Sequence, residues 1–254
     1  MAVTPTTVLV HGGGSTSRFW DRLLPHLDGP HLPIDLPGRR DRPADLATVT
    51  VDDEVASVVA DVQAAAPDGP LVLVVHSSGG LVVPGVLAAL GDRVTHVVLN
   101  AASVPPEGGC GLDCMQDRHR AGLELALAEA DRTGRSLTTP GPPDDPEAFR
   151  RTYGGPPLTD DELAFVVDPV RCVVDTLHHY RQPVRWSEAP PVPVTYLATT
   201  LDRPVPIDLQ RTMAARLPGE PVVVDLETGH VPAITDPPLF AAALRAATSA
   251  VAGR

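Results

Sequence analysis

The sequence predicts one α/β domain with a mostly parallel central sheet, helices on its faces and an inserted cap. Short β-branched runs alternate with longer helical patterns, which is typical of strand–helix–strand units and a parallel sheet. One run, Leu71–Val75, is apolar throughout, as expected of a strand that is covered on both faces. The alternation stops near residue 103 and resumes near residue 190. We therefore expect residues 1–254 to form a single domain with a cap insertion at about 103–190.

The elements of the N-terminal half follow in order from their patterns. The first apolar run ends at Val8–Val10, and an amphipathic pattern over Arg18–Leu27 predicts a short helix. Thr50 is a suitable N-cap, and the acidic residues at positions 52–54 suit the positive end of a helix dipole. The patterns predict strands at 8–10, 32–34, 71–75 and 94–99, and helices at 18–27, 51–66 and 80–90.

The cap insertion is rich in Pro and Gly, above all in the run TTPGPPDDP at residues 138–146. Between these breaks the patterns predict helices at 121–131, 160–167 and 169–180. After the cap the alternation returns, with strands expected at 192–198 and 221–226 and helices at 207–217 and 238–251. A sheet pattern that is interrupted and then completed is what an inserted cap produces.

The composition excludes several classes of chemistry. All 20 basic residues are Arg, so the chain has no Lys. A P-loop Lys, Schiff-base or pyridoxal-phosphate chemistry, a kinase ATP-site Lys and a Ser–Lys dyad are therefore excluded. With 32 acidic residues the formal net charge is −12. We expect no binding to nucleic acids or to anionic membranes, because both require clustered positive charge.

The sequence also predicts a cytoplasmic protein. The first residues, MAVTPTTVLV, lack a positively charged region and lead directly into a strand-like run, so we expect neither a signal peptide nor a transit peptide. No window approaches the ~20 apolar residues of a membrane span. The three cysteines, Cys110, Cys114 and Cys172, are too few and odd in number for a disulfide framework.

The strongest chemical signal is a Ser at the point where a buried strand gives way to an apolar helix. The segment reads LVLVVHSSGG over residues 71–80. A nucleophilic Ser on such a turn needs small residues two positions before and after it, and Ser77 has Val75 before it and Gly79 after it. Ser78 is a rival nucleophile, but the strand register favours Ser77. A Ser–Gly turn without a catalytic role is the structural alternative.

A second signal lies at the end of the first strand, where the sequence reads VLVHGGG over residues 8–14. Such a loop presents backbone N–H groups of the kind that an oxyanion hole needs. A dinucleotide-binding loop is disfavoured because Ser17 stands where its third Gly belongs, and Asp35 alone adds little. The lack of Lys excludes a P-loop. A plain Gly turn is the remaining alternative.

Two further signals follow later strands. His230 lies in the segment TGHVP, and Asp202 lies in the segment LDRPVP, each just after a predicted strand. An Asp in this position can orient a His and stabilise its imidazolium form. The competing acidic residues are Glu227, Asp225 and Asp208. The order Ser, Asp, His along the chain is the one that α/β-hydrolases use.

With these motifs together, the chain resembles the α/β-hydrolase superfamily, and within it the small esterases of the methylesterase and hydroxynitrile-lyase type. The resemblance rests on VLVHGGG, FW, LLPHL, DLPGR, VVHSSGG, LDRPVP and TGHVPAITDP, and it covers nearly the whole chain except the cap. It implies the α/β-hydrolase fold. It also implies that Ser77 is the nucleophile, His230 the general base and acid, and Asp202 the residue that orients His230.

The resemblance extends to an oxyanion hole and to the start of the first helix. It implies that the backbone N–H groups of Gly13 and Ser78 form the hole. It places Phe19 and Trp20 near the start of the first helix, either in the core or in a pocket wall.

The same comparison of motifs disfavours one activity of the group. Its hydroxynitrile lyases carry a Lys directly after the catalytic His, where this chain has Val231, and a Thr after the first-strand His, where it has Gly12. Cyanohydrin cleavage by that route is therefore not expected.

Other candidate residues lie in the cap. Cys110, Cys114 and His119 form a loose cluster, which we interpret as unliganded thiols because no second ligand pair follows. His178 and Tyr180 belong to the predicted helix 169–180 and could line a pocket that binds a substrate carboxylate or phenol. A solvated helix end, beside His179 and Arg181, is the alternative for these two. Outside the cap, Arg39 and Arg40 are expected to be surface charges.

The sequence therefore predicts a serine hydrolase that cleaves an ester, thioester or lactone of a small to medium hydrophobic substrate through an acyl-enzyme. We expect no cofactor, no metal, and a small-molecule acyl substrate as the partner. Two alternatives stay open. One is a non-hydrolytic enzyme of this fold that performs elimination, cyclisation or C–C cleavage in a natural-product pathway. The other is a protein of this fold that only binds a ligand; fold alone does not separate such options.

Overall fold

The central sheet has six strands in the computed structural model, which describes residues 4–252. The strands are β1 (Thr6–Val10), β2 (His31–Ile34), β3 (Leu71–His76), β4 (Val94–Asn100), β5 (Val194–Thr199) and β6 (Val222–Leu226). Their order is β2–β1–β3–β4–β5–β6, and each neighbouring pair is parallel. The prediction of a mostly parallel sheet is confirmed. Two short ends of the predicted domain 1–254 lie outside the described residues. They are residues 1–3, which belong to the N-terminal stretch discussed above, and residues 253–254.

Helices cover both faces of the sheet. The α-helices are α1 (Val51–Ala65), α2 (Val83–Leu90), α3 (Asp117–Thr133), α4 (Asp160–Val167), α5 (Ile207–Ala214), α6 (Pro232–Thr235) and α7 (Pro237–Ala252). On one face, Val58 of α1 and Val86 of α2 are buried with Leu73 of β3. On the other face, Phe240 of α7 is buried with Val74 of β3. Strand β3 is therefore covered on both sides, as its apolar run predicts.

The helix α1 begins and ends almost where its sequence pattern predicts. Thr50 accepts a hydrogen bond from the backbone N–H of Asp53, and the Asp53 side chain accepts one from the backbone N–H of Thr50. This reciprocal capping satisfies two backbone groups that an uncapped helix would leave without partners. The predicted helix at 51–66 is confirmed, with Ala65 as its last residue.

The predicted helix at Arg18–Leu27 is wrong. The chain there forms two separate 3₁₀ helices, Ser17–Trp20 and Leu24–His26. Pro25 lies in the first turn of the second one, and a Pro inside a continuous helix would lack the N–H that the i−4 carbonyl needs. The predicted helix at 80–90 is also divided, because the 3₁₀ helix Ser77–Val82 comes first and α2 begins only at Val83.

The predicted cap, residues 103–190, lies in the long connection between β4 and β5 and contains α3 and α4. The predicted helix at 169–180 is wrong, because only its start makes a local turn, with Arg171 and Cys172 bonded to the Asp168 carbonyl, and its middle bonds to distant segments. The N–H of Val173 donates to the carbonyl of Gly14 at 2.9 Å, and the N–H of Thr139 donates to the carbonyl of Asp175 at 2.8 Å. Only its last residues are helical, in the 3₁₀ helix His178–Arg181.

The carboxyl ends of the parallel strands meet at one edge of the sheet. The glycine loop at residues 11–14 follows β1, Ser77 follows β3, Asp202 follows β5 and His230 follows β6. Ligand sites in open α/β sheets form at this edge. Among residues 4–252, no helix combines the length and the apolar character needed to cross a bilayer.

Candidate active site

Ser77 lies on a tight turn directly after β3. Its φ of +52° is in the left-handed region, which is uncommon for residues other than Gly. The turn is packed backbone to backbone, since a Cβ at Gly79 would lie 2.6 Å from the carbonyl oxygen of His11, and a Cβ at Gly12 would lie 2.8 Å from Ser77 Cβ. Because neither glycine has a side chain, the loop after β1 can lie directly against the turn after β3. Ser77 is thereby held at the edge of the sheet.

His230 lies between Ser77 and Asp202. Its Nε2 is 3.1 Å from Ser77 Oγ, and its Nδ1 is 2.6 Å from Asp202 Oδ2. The buried Asp202 carboxylate also accepts hydrogen bonds from Thr199 Oγ1 and from the N–H of Val205, both at 2.7 Å. These bonds fix the carboxylate. With Nδ1–H donating to Asp202, Nε2 is left to accept the Ser77 hydroxyl proton.

The rival residues lie elsewhere. Asp225 pairs with Arg211 at the surface, and Glu227 and Asp208 are exposed. The side chain of Ser78 is buried, and its hydroxyl lies with that of Tyr180 beside Gly13. The structure therefore brings Ser77, Asp202 and His230 together.

A second imidazole, His76, lies beside the first. The ring centres of His76 and His230 are 4.6 Å apart, and His76 stacks on Phe19 at 4.8 Å. Its Nδ1 is 3.2 Å from Oδ1 of Asn100. Burial, and then repulsion from His230, lower the pKa of His76 well below its ordinary value. His76 is thus neutral and adds no positive charge beside His230.

Gly13 and Ser78 lie in the two segments next to Ser77: Gly13 follows Gly12, whose added Cβ would lie 2.8 Å from Ser77 Cβ, and Ser78 directly follows Ser77. Gly13 is exposed, whereas His11 and Gly12 before it are buried. Ser78 lies in the first turn of the 3₁₀ helix Ser77–Val82, where a backbone N–H has no partner within the helix. Donors of this kind are the ones that an oxyanion hole uses.

A cavity of about 200 Å³ opens next to Ser77 and His230. Its apolar lining consists of Phe19, Phe165, Val166, Pro204, Val231 and Ile234. Of the four residues suggested for a pocket, Phe19 lines this cavity. Trp20 is fully buried and stacks on Phe240, and His178 lies in a separate surface cleft beside Arg181. Tyr180 is half-buried, its hydroxyl faces Gly13, and it does not line the cavity.

The cap contributes residues that no sequence motif identifies. The Tyr153 ring stacks on His230 with the ring centres 6.3 Å apart, and the Tyr153 carbonyl accepts the backbone N–H of His230 at 2.8 Å. The N–H of Gly155 donates to the carbonyl of Leu201 at 3.0 Å. The segment 153–155 therefore packs against both loops that carry the acid and the base. In the sequence, this segment is marked only by the adjacent glycines 154 and 155.

Arg171 brings a positive charge to the cavity, but two carboxylates compensate for it. Its guanidinium lies 2.9 Å from Asp21 and 3.0 Å from Asp168. It also lies 3.9 Å from the ring centre of Phe165, and Arg22 lies 4.4 Å from the same ring centre. The ring of Phe165 is thus held by two guanidinium groups and forms a fixed wall of the cavity.

Arg39 is buried, which corrects the prediction of a surface charge. Its Nη2 lies 2.5 Å from Oδ2 of Asp175 in the cap, and both side chains are almost completely buried. The sequence around Arg39 could not show this, because the carboxylate that compensates for its charge is far away along the chain. Arg40 is exposed as predicted and pairs with Asp35 at 3.2 Å.

The cysteines of the cap remain thiols. All three are free, and burial raises the pKa of Cys114 to about 12. Burial also raises the pKa of Cys110. A protonated thiol is a poor metal ligand. Within residues 4–252, no group of three or more His, Cys, Asp or Glu side chains is placed to hold a metal ion.

The family model described as "Alpha/beta hydrolase family" matches residues 7–243. The chain belongs to this family. Over 110 residues, or 41% of the chain, it is 39% identical to Lipase LipV of Mycobacterium tuberculosis. That match covers 40% of the lipase, so the chain spans less than half the length of this curated relative.

Solved structures of other α/β-hydrolases share the fold over almost the whole chain. One is an extracellular α/β-hydrolase from a Paenibacillus species, with a TM-score of 0.80 and 20% identity, covering 96% of this chain and 99% of that one. Another is a pyrethroid hydrolase from Sphingobium faniae JZ-2, with a TM-score of 0.73 and 21% identity, covering 99% of this chain and 100% of that one. At such identities the likeness concerns the fold.

Proposed function

We propose that this α/β-hydrolase is a serine esterase, which cleaves an ester, thioester or lactone of a small hydrophobic acyl substrate. The observation that carries the proposal is the continuous contact from Ser77 Oγ to His230 Nε2 and from His230 Nδ1 to Asp202 Oδ2, at 3.1 and 2.6 Å. A buried Asp–His pair that ends on a serine hydroxyl is the arrangement that makes a weak nucleophile reactive.

In the first half of the proposed reaction, Ser77 Oγ attacks the carbonyl carbon of the substrate while its proton moves to Nε2 of His230. The Asp202 carboxylate stabilises the imidazolium that forms and keeps its ring in place. The backbone N–H groups of Gly13 and Ser78 would donate to the oxyanion. His230 then protonates the leaving alcohol or thiol, and an acyl-enzyme on Ser77 remains.

In the second half, a water molecule gives its proton to His230 and attacks the acyl carbonyl. Collapse of the second tetrahedral intermediate releases the acid, and His230 returns the proton to Ser77. The residues named here supply every step, so the proposal requires no cofactor.

The cavity supports a neutral, apolar acyl group. Its volume of about 200 Å³ is small, and much of its lining is aromatic or aliphatic. The charge of Arg171 is compensated by Asp21 and Asp168, so it gives little attraction to an anionic substrate. The relative from Mycobacterium tuberculosis is named a lipase, which supports ester cleavage as the reaction class.

The proposal is tested with a fluorophosphonate probe and a set of chromogenic esters. The wild type is expected to be labelled and to hydrolyse short esters, and Ser77→Ala is expected to lose both, with kcat lower by about 10³-fold or more. The matched control is Ser78→Ala, which keeps its backbone N–H and is expected to retain labelling. Labelling that survives Ser77→Ala and disappears in Ser78→Ala would assign the nucleophile to Ser78.

A further inference from the structure

The glycine loop that contains Gly13 is held in place from the cap. The N–H of Gly14 donates to Oδ2 of Asp175 at 2.8 Å, and the carbonyl of Gly14 accepts the N–H of Val173 at 2.9 Å. Both backbone polar groups of Gly14 are therefore bonded to cap residues. Gly14 has a φ of +65°, in the region that favours glycine, so this contact holds a turn of the loop.

The Asp175 carboxylate has little freedom to move. Arg39 Nη2 lies 2.5 Å from Oδ2, and the Arg39 Nε donates to the carbonyl of Ser15 at 3.3 Å. The other oxygen, Oδ1, accepts the N–H of Thr176 at 2.6 Å. The N–H of Asp175 itself donates to Oγ1 of Thr139 at 2.9 Å. The carboxylate, its partner guanidinium and the glycine loop thus form one rigid unit.

A contribution to folding stability does not by itself explain why the ion pair of Arg39 and Asp175 is buried here. Replacing a buried ion pair with apolar residues of similar volume is often neutral or stabilising, because the desolvation of two charges offsets their attraction. An apolar pair would, however, leave the Gly14 N–H without its acceptor. The contact between Asp175 and the loop is therefore the feature that requires a side-chain oxygen acceptor at this position.

The contact lies next to the proposed oxyanion hole. The N–H of Gly14 belongs to the peptide unit between Gly13 and Gly14, so its bond to Asp175 fixes the chain on the C-terminal side of Gly13. The Gly13 N–H belongs to the preceding peptide unit, whose Gly12 carbonyl lies 2.8 Å from Nδ1 of His11. A Cβ at Gly13 would lie 3.2 Å from Ser78 Oγ and 3.5 Å from Asp175 Oδ2. Asp175 is thus close to both residues that would donate to the oxyanion.

We propose that Asp175 is a positioning residue, which holds the Gly13–Gly14 loop so that the Gly13 N–H meets the oxyanion. This inference rests on the proposed function. A donor must lie roughly 2.7–3.1 Å from the oxyanion to be effective, and a misplacement of about 1 Å can lower the rate by about 10²-fold. Because the negative charge develops in the transition state, the loss should reduce kcat and leave KM nearly unchanged.

The test compares Asp175→Ala and Asp175→Asn with the wild type on one chromogenic ester. We expect Asp175→Ala to lower kcat by about 10²-fold with KM within about threefold, and to weaken binding of a trifluoromethyl ketone by a similar factor, since its adduct with Ser77 carries an oxyanion. Asp175→Asn should recover much of kcat, because its side-chain oxygen can still accept the Gly14 N–H.

A matched control is offered by another buried contact between the cap and the core. His179 Nδ1 lies 2.9 Å from Oε1 of Glu54, and each side chain is 2% exposed. Glu54→Gln perturbs another attachment of the cap and removes no hydrogen bond to the glycine loop. We expect it to lower thermal stability while kcat and the affinity for the trifluoromethyl ketone stay at the wild-type values.

A double variant separates positioning from folding. Asp175→Ala leaves Arg39 with an uncompensated buried charge, and Asp175→Ala combined with Arg39→Met removes that charge. We expect the double variant to regain stability and to keep the low kcat. Recovery of kcat together with stability would overturn the inference, as would an Asp175→Ala enzyme with wild-type kcat. A wild type without labelling or ester turnover would overturn the proposed function, and this inference with it.

Discussion

Ser77 has a strained backbone that its neighbours hold in place. A left-handed conformation at a residue other than Gly costs about 1–3 kcal/mol and persists where the surroundings determine it. Here the Ser77 carbonyl accepts the N–H of Ser103 at 2.8 Å, and Gly79 packs against the end of β1. Val75, where a small residue is usual, is completely buried in the core between the sheet and the helices α1 and α2. The turn therefore does not require a small residue at position 75.

We predict that Val75→Gly destabilises the protein without improving the turn. The substitution removes buried methyl groups and places a Gly inside a strand, so the free energy of unfolding should fall by about 2–3 kcal/mol. The value of kcat should stay within about twofold of the wild type, because Ser77 already has its left-handed conformation. Urea unfolding and ester kinetics measure the two effects. A large gain in kcat would show that Val75 restrains the turn.

At the scale of elements, α4 supplies the outer wall of the cavity. Phe165 and Val166 of this helix line the cavity, while Leu163 is buried in the core. The helix begins with a capping box between Thr159 and Glu162, and its bounds are those that the sequence predicts, 160–167. Because Phe165 is held by two guanidinium groups, we expect this wall to set how far the acyl chain of the proposed substrate extends.

We predict that Phe165→Ala shifts the preference toward longer acyl chains. With the ring removed, kcat/KM for an octanoyl ester relative to a butyryl ester should rise by on the order of 10-fold, the effect of about one well-placed methylene. A series of p-nitrophenyl esters measures the ratio. The control is Leu125→Ala on α3, since Leu125 is 74% exposed. An unchanged ratio in Phe165→Ala would place the acyl group elsewhere.

Local sequence patterns predicted the elements whose hydrogen bonds are local. The capped helix α1 and the apolar strand β3 are confirmed nearly to the residue. The predicted helix at 169–180 is wrong because its backbone groups bond to Gly14 and Thr139, which lie far away along the chain. Its β-branched residues Val173, Val174 and Thr176 suit an extended segment and are the sequence signal that favours one here.

At the scale of the whole molecule, the proposed site is assembled from four strand ends and the cap. The strand ends were predictable, because motifs after parallel strands must meet at one edge of the sheet. Asp202 and His230 were therefore identified from sequence as partners for Ser77, and the structure brings them together. The sequence does not identify Tyr153 and Asp175 as neighbours of the site, because they belong to an irregular cap whose path depends on long-range contacts.

The fold also buries several histidines in the neutral form. Burial, and after it the Arg39 guanidinium, lower the pKa of His11 to about 4. Burial is also the main cause that lowers the pKa values of His76 and His96. His179 differs, because attraction to Glu54 outweighs the effect of burial and raises its pKa. The contribution of His179 to stability is therefore present below about pH 6.5 and lost as the pH rises through its folded-state pKa.

We predict that the protein loses stability as the pH falls below about 6.5. In that range the unfolded chain protonates His11, His76 and His96 while the folded chain does not, so the unfolded state binds more protons. Each such proton lowers the free energy of unfolding by up to about 1.4 kcal/mol per pH unit until the folded-state pKa is reached. Urea unfolding at about pH 7.5, 6 and 5 measures the slope. His96→Gln, which can still bond to Thr195 but does not titrate, should reduce the slope just below pH 6.5. Stability that stays constant over this range would mean that these imidazoles are protonated in the folded protein.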